Sequence, residues 1–268
     1  MPAYEDVVFE IADPVAVIRI NRPEKLNSFT YRTLAEIRDA VEAAAADPRV
    51  VGIIITGTGR GFSAGLDSQA LADTVSRGTP SASGEAPPPA SELPGLFSYL
   101  LEVPKLVVGA INGVAAGGGM MLAMKCDVRI CSTNGSFTTT FMKRGLIAEH
   151  GSTWLLPRLV GTGAAFDLLL TSRRVDAAEA LRIGLIEYVC EPEALLDRAK
   201  AYIATVAANA APKAIADSKA MIYRQWASAY PEAFADTDAV QWKAIARPDA
   251  TEGARALLEK REPRFERL

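Results

Sequence analysis

Histidine is almost absent from this chain of 268 residues, in which His150 is the single one. Zinc sites built on two or three histidines are therefore excluded, and so is any mechanism that needs two histidines. Cysteine is also scarce, because Cys126, Cys131 and Cys190 are too few and too odd in number for a disulfide framework. We expect them to be small buried hydrophobes in a reducing, cytoplasmic setting.

The chain also lacks a large excess of charge, with a formal net charge of −3 at pH 7. This balance gives no electrostatic case for a nucleic-acid or anionic-membrane partner. The acidic start, MPAYEDVVFE, has no apolar run typical of a signal peptide. Residues 106–124 approach the length of a membrane span, but Asn112-Gly113 and a triple glycine divide them into a strand-like and a helix-like half.

Short β-rich runs and helical segments alternate along the first half of the chain. The runs VVFEI and VAVIRI flank a turn at 12–14 and predict a hairpin. A capping segment at 27–30 precedes apolar residues at helical spacing up to Ala46. Continuous apolar runs at 50–56 and 106–111 predict strands buried on both faces. The run DVRICS predicts a third such strand, and a helix is expected just before it.

We predict a core at 1–205 followed by a C-terminal helical region at 206–268. Within the core, residues 73–95 are rich in Pro, Ser, Gly and Ala, which predicts a mobile insert. Helical patterns predict further helices at 176–182, 193–208, 212–227 and 249–260.

Two motifs in the glycine-rich segments point to familiar chemistry that the rest of the chain does not support. Residues 61–65 read G-x-S-x-G after a strand, the pattern that places a nucleophilic serine in hydrolases. Only His150 is available as a base, and no HGGG-type segment precedes Ser63, so we disfavour a serine hydrolase. Neither glycine segment continues as a P-loop or matches a dinucleotide fingerprint well.

The two glycine-rich segments GTGRGFSAGLD and GVAAGGG share a context that is more informative than either motif. Each follows a buried strand and opens a helix, so each exposes backbone N–H groups at a helix start. Two such turns on neighbouring strands would aim two donors at one oxygen, which is the design of an oxyanion hole. The alternative is that the glycines only permit tight turns, and spacing alone leaves both interpretations open.

Longer stretches of the sequence resemble the crotonase, or enoyl-CoA hydratase/isomerase, superfamily. The resemblance is carried by VIRINRPEKLNSFT, IIITGTGRGFSAGLD, PKLVVGAINGVAAGGGMMLAMKCDVRICS, RGLIAEHGSTWLLPRLVG and EGARALLEKREPRF. It covers nearly the whole chain except the insert. It implies an α/β fold, a crotonase-like spiral of ββα units with C-terminal helices that build a trimer or a dimer of trimers. It also implies an acyl-CoA substrate, with CoA as part of that substrate and no separate cofactor or metal.

The resemblance assigns site residues by motif match. Leu66 and Gly118 resemble the two residues whose N–H groups form the oxyanion hole. Lys260 resembles a lysine that reaches CoA, often from a neighbouring subunit, although a solvated helix residue is an equal alternative. The positions expected to bind the CoA portion are Lys25, Leu26, Ala64 and Asp67.

The chain departs from the hydratase pattern at its carboxylates. Hydratases of the family use two glutamates, but those slots hold Met121 and Phe141 here. Asp67 directly follows Leu66, and we interpret it mainly as a helix N-cap. Glu149 resembles the single catalytic glutamate of Δ3,Δ2-enoyl-CoA isomerases, and its alternative is a helix-start carboxylate favoured by the dipole.

The number of carboxylates favours isomerisation. Hydration needs a base for water and an acid for C2, whereas moving a double bond needs one group that takes a proton from C2 and returns it to C4. We therefore predict a Δ3,Δ2-enoyl-CoA isomerase with Glu149 as its base. The alternatives are an enoyl-CoA hydratase that uses Glu149 in a rearranged site, or a catalytically weak acyl-CoA-binding homologue.

Overall fold

Two sheets carry the fold of this computed structural model, which describes residues 4–70, 72, 93 and 95–268. The first holds β1 (Val7–Ala12), β2 (Val15–Ile20), β3 (Gly52–Gly57), β5 (Leu106–Ile111), β7 (Val128–Ser132) and β10 (Tyr188–Cys190), in that order. The second holds β4 (Gly61–Ser63), β6 (Val114–Ala116), β8 (Ser136–Thr138) and β9 (Val175–Asp176). Only β1 and β9, at the sheet edges, run antiparallel to their neighbours among these strands.

The chain moves from the first sheet to the second three times in succession. β3 leads to β4, β5 to β6 and β7 to β8, and each second-sheet strand ends in a turn that precedes helical structure. This alternation confirms the expected α/β class and its spiral of strand pairs and helices. The short second-sheet strands were missed by the sequence reasoning, because three residues are too few to show a period.

Helices pack against both faces of the first sheet, and further helices extend beyond it. They are α1 (Tyr31–Ala46), α2 (Gly118–Met124), α3 (Ser152–Thr171), α4 (Ala177–Arg182), α5 (Leu195–Asn209), α6 (Pro212–Gln225), α7 (Tyr230–Ile245) and α8 (Pro248–Glu259). The predicted N-terminal hairpin, the long first helix and the three buried strands are confirmed. α7 was not predicted, since none of its residues is buried and its apolar pattern is weak.

Burial on both faces of the first sheet explains its continuous apolar runs. Ile53 and Ile55 pack into the main core, whereas Ile54 belongs to a second cluster on the opposite face. α5 closes that second face with Leu195, Ala199 and Ile203. The predicted boundary between the core and the C-terminal region, at residue 205, falls inside α5. No break in this helix marks the boundary, and the division stays a prediction.

Two further predictions concern segments of special composition. Residues 106–124 fold as β5, β6 and α2. Within the described ranges, no helix has both the length and the apolar character needed to cross a bilayer. The predicted insert at 73–95 lies outside the described residues, apart from Leu93 and Gly95.

A buried ion pair fastens α6 to the first sheet. The Asp127 carboxylate accepts bonds from Lys219 Nζ at 2.7 Å, Tyr223 OH at 2.9 Å and the Val107 N–H at 2.8 Å. The Lys219 ammonium also donates to the carbonyl of Lys105 at 3.1 Å. Burial lowers the pKa of Lys219, and the neighbouring Asp127 carboxylate opposes that shift.

We expect Asp127→Ala to lower the free energy of unfolding by about 3–5 kcal/mol, because it leaves a buried ammonium without its carboxylate. Urea titration measures this loss. The double variant Asp127→Ala/Lys219→Met should recover much of it, and Tyr223→Phe should cost only about 1 kcal/mol. A loss below about 1 kcal/mol in Asp127→Ala would contradict the role given to the pair.

Candidate functional site

The two glycine-rich turns lie side by side because β4 and β6 pair in parallel. Gly61 is opposite Val114, and Ser63 is opposite Ala115. Parallel strands end at the same edge of a sheet, so the turn at 64–67 and the turn before α2 leave that edge together. An isolated parallel bridge between Phe29 and Leu66 holds the first turn from its other side.

The N–H groups of Leu66 and Gly118 are both free of acceptors among the described residues. Phe29 donates to Gly65 O at 2.7 Å and accepts from Asp67 N at 2.9 Å, so Leu66 between them directs its own N–H away from Phe29. Gly118 opens α2, where the first N–H groups have no partner inside the helix. Two adjoining turns thus present one unpaired donor each.

Close contact between the turns depends on glycines that the sequence did not single out. A Cβ on Gly65 would lie 2.7 Å from Ala116 O and 3.0 Å from Gly118 N, and its φ is +86°. A Cβ on Gly119 would lie 2.2 Å from Ser63 O. Neither position therefore accepts a side chain without moving backbone.

Gly118 itself is less constrained than Gly65 and Gly119. A Cβ there would meet Phe29 ring carbons at 3.6 Å and Gly65 Cα at 3.7 Å, which are ordinary van der Waals distances. A β-carbon at Gly118 would thus not disturb the turn.

Ser63 supports the turn and is not placed as a nucleophile. Its hydroxyl is fully buried, donates to Asn27 O at 2.8 Å and accepts from Gly65 N at 3.2 Å. The Asn27 side chain in turn donates to Gly61 O at 2.7 Å and accepts from Arg22 N at 2.9 Å. The G-x-S-x-G pattern therefore reflects turn construction.

Four of the five predicted CoA-binding positions, all except Lys260, meet near this first turn by direct contact or charge. Ala64 N donates to Leu26 O at 2.9 Å, and Leu26 has the left-handed φ of 49°. Lys25 precedes Leu26 at the end of a short 3₁₀ helix, Pro23–Lys25, and its charge helps to lower the pKa of Asp67. These contacts join the loop before α1 to the first turn.

Asp67 acts as a helix cap in the structure. Its carboxylate accepts from Gln69 N at 3.0 Å and from Ser28 Oγ at 3.3 Å, and Arg22 lies 3.7 Å away. The bond from the Gln69 N–H, more than the other contacts, holds the pKa of Asp67 below its usual range. A carboxylate stabilised in this way is a weak base.

Glu149 has the opposite environment. It lies in the loop before α3, its side chain is 36 % exposed, and partial burial raises its pKa. His150 Nε2 is 3.6 Å from its Oε2. Burial, and then the charge of Lys125, lower the pKa of His150, so the imidazole is neutral near pH 7.

Lys125 connects the Glu149 loop to the helix that begins with Gly118. It caps the C-terminus of α2, and its ammonium donates to the carbonyl of His150 at 2.9 Å and to the carbonyl of Leu96. The loop is therefore fixed to the end of α2, while the start of α2 presents the Gly118 N–H.

The two positions where hydratases carry glutamates are apolar and buried. Met121 is 1 % exposed and Phe141 is 5 % exposed, and both pack in the main core. In the described part of the chain, no group of three or more His, Cys, Asp or Glu side chains is placed to hold a metal.

Lys260 is not brought to these turns in the single chain. It is exposed, caps α8 with a left-handed φ of 53°, and its side chain makes no hydrogen bond or ion pair with any described residue. Its contact with CoA stays a prediction.

Together, the fold and the site define an α/β protein in which two adjoining turns each present a backbone N–H group without a described acceptor. Comparison with known proteins agrees with that class. The family model for enoyl-CoA hydratase/isomerase matches residues 10–267. The chain belongs to this family, within the crotonase superfamily, and is an enzyme of that family.

Relatives of known name extend over almost the whole chain. It is 36% identical to a crotonyl-CoA hydratase of Syntrophomonas wolfei subsp. wolfei over 264 residues, which is 98% of each chain. It is 34% identical to a short-chain-enoyl-CoA hydratase of Clostridium acetobutylicum over 259 residues, 96% of this chain and 95% of that one. A probable enoyl-CoA hydratase/isomerase from Mycobacterium abscessus superposes with a TM-score of 0.84 at 30% identity, covering 97% and 98% of the two chains.

The need for glycine at two positions next to Gly118 gives a stability prediction. Gly65→Ala and Gly119→Ala should each lower the free energy of unfolding by about 1–3 kcal/mol or more, because the added Cβ meets backbone. Gly118→Ala should stay within about 1 kcal/mol of the original chain. Urea unfolding of the three variants measures this, and equal losses at 118 and 119 would contradict the packing described here.

Proposed function

We propose that this chain is a Δ3,Δ2-enoyl-CoA isomerase. The thioester oxygen of a 3-enoyl-CoA binds between the N–H groups of Leu66 and Gly118, and the carboxylate of Glu149 removes a proton from C2. The electron pair moves onto the thioester oxygen as an enolate, and Glu149 returns the proton at C4. The double bond then lies between C2 and C3. No separate cofactor enters this sequence.

The observation that carries the proposal is the pair of unpaired N–H donors on adjoining turns. Donors that are already oriented stabilise developing negative charge without reorganisation during the reaction. Leu66 and Gly118 meet this requirement, since neither N–H has an acceptor among the described residues. A thioester enolate is the anion that a family acting on enoyl-CoA would generate there.

The choice of isomerisation depends on which carboxylates remain. Met121 and Phe141 cannot transfer protons, and Asp67 is stabilised as an anion by its capping bonds. Glu149 has a raised pKa, which suits a group that must both accept and return a proton. Two carboxyl groups with opposite pKa shifts suggest two different roles.

Hydration is the second candidate, because the named relatives include hydratases of crotonyl-CoA and of short-chain enoyl-CoA. It would require Glu149 to serve a water molecule in a site rearranged from that of the two-glutamate enzymes. An acyl-CoA-binding homologue with little activity is the third outcome.

For the CoA portion, we propose contacts at Lys25, Leu26, Ala64 and Asp67. The Leu26–Ala64 hydrogen bond and the nearby charges join these positions at the entrance to the first turn. Lys260 would contribute from a neighbouring subunit, since its side chain is exposed and without a bond to any described residue of its own chain.

Glu149→Gln tests the proposed base. The substitution preserves shape and removes basicity, so isomerisation of 3-enoyl-CoA should fall about 10²–10⁴-fold. In the original enzyme, activity should be lost as pH falls through the raised pKa of Glu149, since only the carboxylate accepts a proton.

The control for Glu149→Gln is affinity for a saturated acyl-CoA, which should barely change because both N–H donors remain. Hydration of 2-enoyl-CoA is followed in parallel. Efficient hydration with poor isomerisation would make the reaction assignment wrong. Full activity in Glu149→Gln would leave Glu149 as a helix-start carboxylate only.

We also propose that the chain assembles as a trimer or a dimer of trimers. α7 has no buried residue, and four of its large apolar side chains are each more than half exposed, namely Tyr230, Phe234, Trp242 and Ile245. Leu257 and Leu258 on α8 are 80% and 84% exposed. Apolar side chains presented in this number on adjacent helices are typical of a subunit interface, and cyclic closure covers them in every copy.

Light scattering at micromolar concentration should give the mass of a trimer or hexamer. Trp242→Glu should shift the mass toward the monomer, because it places a charge in the apolar contact. Lys243→Glu, at the next exposed position of the same helix, is the matched control and should keep the assembly. A monomer for the original chain would refute the proposal and the intersubunit role of Lys260.

A further inference from the structure

A cavity of about 730 Å³ lies beside the Glu149 loop. This volume is within the range of pockets that hold small organic ligands. Its described lining is largely apolar, with Leu101, Trp154 and Leu155 among its side chains, and it also includes Lys125 and Arg224. None of these residues belongs to the paired turns that form the proposed oxyanion hole.

Two walls of the cavity continue to the proposed catalytic site. Phe97 packs edge-on against Phe29 with ring centroids 5.3 Å apart, and the Phe29 ring flanks Gly118. The 3₁₀ helix that follows Phe97, Ser98–Leu101, supplies Leu101 to the cavity.

The second wall is the loop of the proposed base. His150 and Gly151 line the cavity directly after Glu149. An acyl group with its thioester at Gly118 and its C2 at Glu149 would therefore reach the cavity along these two walls.

α2 sets the distance that such a group must cover. Gly118 is its first residue and Lys125 caps its end, so the two Cα atoms are about 10 Å apart at 1.5 Å per residue. An acyl chain of medium length has the reach to cover a distance of this order.

Lys125 is a buried cation without a carboxylate. It is 3 % exposed, and two of its three N–H donors bind the carbonyls of Leu96 and His150. Burial lowers its pKa to about 8, so the ammonium form dominates at neutral pH. Nothing else in the described ranges accepts its third N–H. A buried ammonium group without a carboxylate partner is stabilised when an anion binds to it.

The other charged groups of the lining are already engaged. Arg224 forms a two-pronged pair with Asp236, with contacts of 2.8 and 2.6 Å from its Nη2. Glu102 accepts a bond from Leu93 N at 3.3 Å. An anionic ligand can therefore pair with Lys125 without breaking an ion pair between described residues.

We infer that Lys125 selects acyl-CoA substrates that carry a carboxylate at the far end of a medium-length chain, namely CoA monothioesters of dicarboxylic acids. This inference rests on the proposed acyl-CoA function. The thioester end lies at Leu66 and Gly118, the chain runs along the apolar wall, and the terminal carboxylate accepts the third N–H of the Lys125 ammonium.

The test is a pair of saturated acyl-CoA thioesters of equal, medium length, one ending in a methyl group and one in a carboxylate. Isothermal titration gives the two dissociation constants. The original enzyme should bind the carboxylate-ended thioester about 10-fold more tightly or better, the effect of one charge-assisted hydrogen bond in a buried site. Lys125→Met should abolish or reverse that preference.

Two further variants isolate the contribution of Lys125. Arg224→Met removes the other cation of the lining and should retain the preference. Lys125→Gln keeps N–H donors for the two carbonyls but no charge, and should lose it. A short-chain acyl-CoA, titrated against each variant, reports whether the CoA portion still binds.

Equal or tighter binding of the methyl-ended thioester by the original enzyme would overturn the inference, as would a preference that survives in Lys125→Met. The readout is binding, so it is separate from turnover. An intact preference without isomerisation would refute the proposed reaction alone, and failure to bind any acyl-CoA would overturn both proposals.

Discussion

The parallel pairing of β4 with β6 is the contact on which the candidate site depends. Each strand has only three residues, yet the pairing fixes where two turns emerge from the second sheet. Gly65 and Gly119 then allow the turns to approach to backbone contact. Because the donors of an oxyanion hole are main-chain groups, their placement is a property of this strand register and not of any side chain.

Three buried lysines, Lys105, Lys125 and Lys219, each join two segments of the fold by hydrogen bonds. Lys105 donates to the carbonyls of Ala44 and Asp47 at the end of α1. Lys219 joins α6 to the sheet through Asp127. Lys125 holds the Glu149 loop against α2 with carbonyls alone. Carbonyls satisfy donors but do not neutralise charge, so the ammonium groups of both Lys105 and Lys125 are buried without an ion pair to a described carboxylate. Of the three lysines, Lys125 is the one that lines the cavity.

The contrast between two carboxylates connects the fold to the chemistry. Asp67 and Glu149 both lie just before helical structure, where a sequence pattern would treat them alike. Asp67 accepts the capping N–H of Gln69 and keeps a low pKa, whereas Glu149 receives no such bond from a described residue and has a raised one. The difference in hydrogen bonding, and not the distance along the chain, separates a structural carboxylate from a candidate base.

The fold class, the family and most long elements follow from patterns that are present in the sequence alone. Apolar runs such as 50–56 and 106–111 are continuous because both faces of their strands are buried, and a continuous run is visible without coordinates. The glycine-rich turns are likewise visible in the sequence, because their residues are close together along the chain.

Which glycines cannot carry a side chain is visible only in the folded chain, because at Gly65 and Gly119 it depends on atoms of the neighbouring turn. The same holds for Lys125, an ordinary residue in the sequence, which is buried beside a cavity and has no described carboxylate partner. α7 escaped prediction because its apolar side chains face outward in the single chain. Such features arise from contacts between distant segments, which local periodicity does not encode.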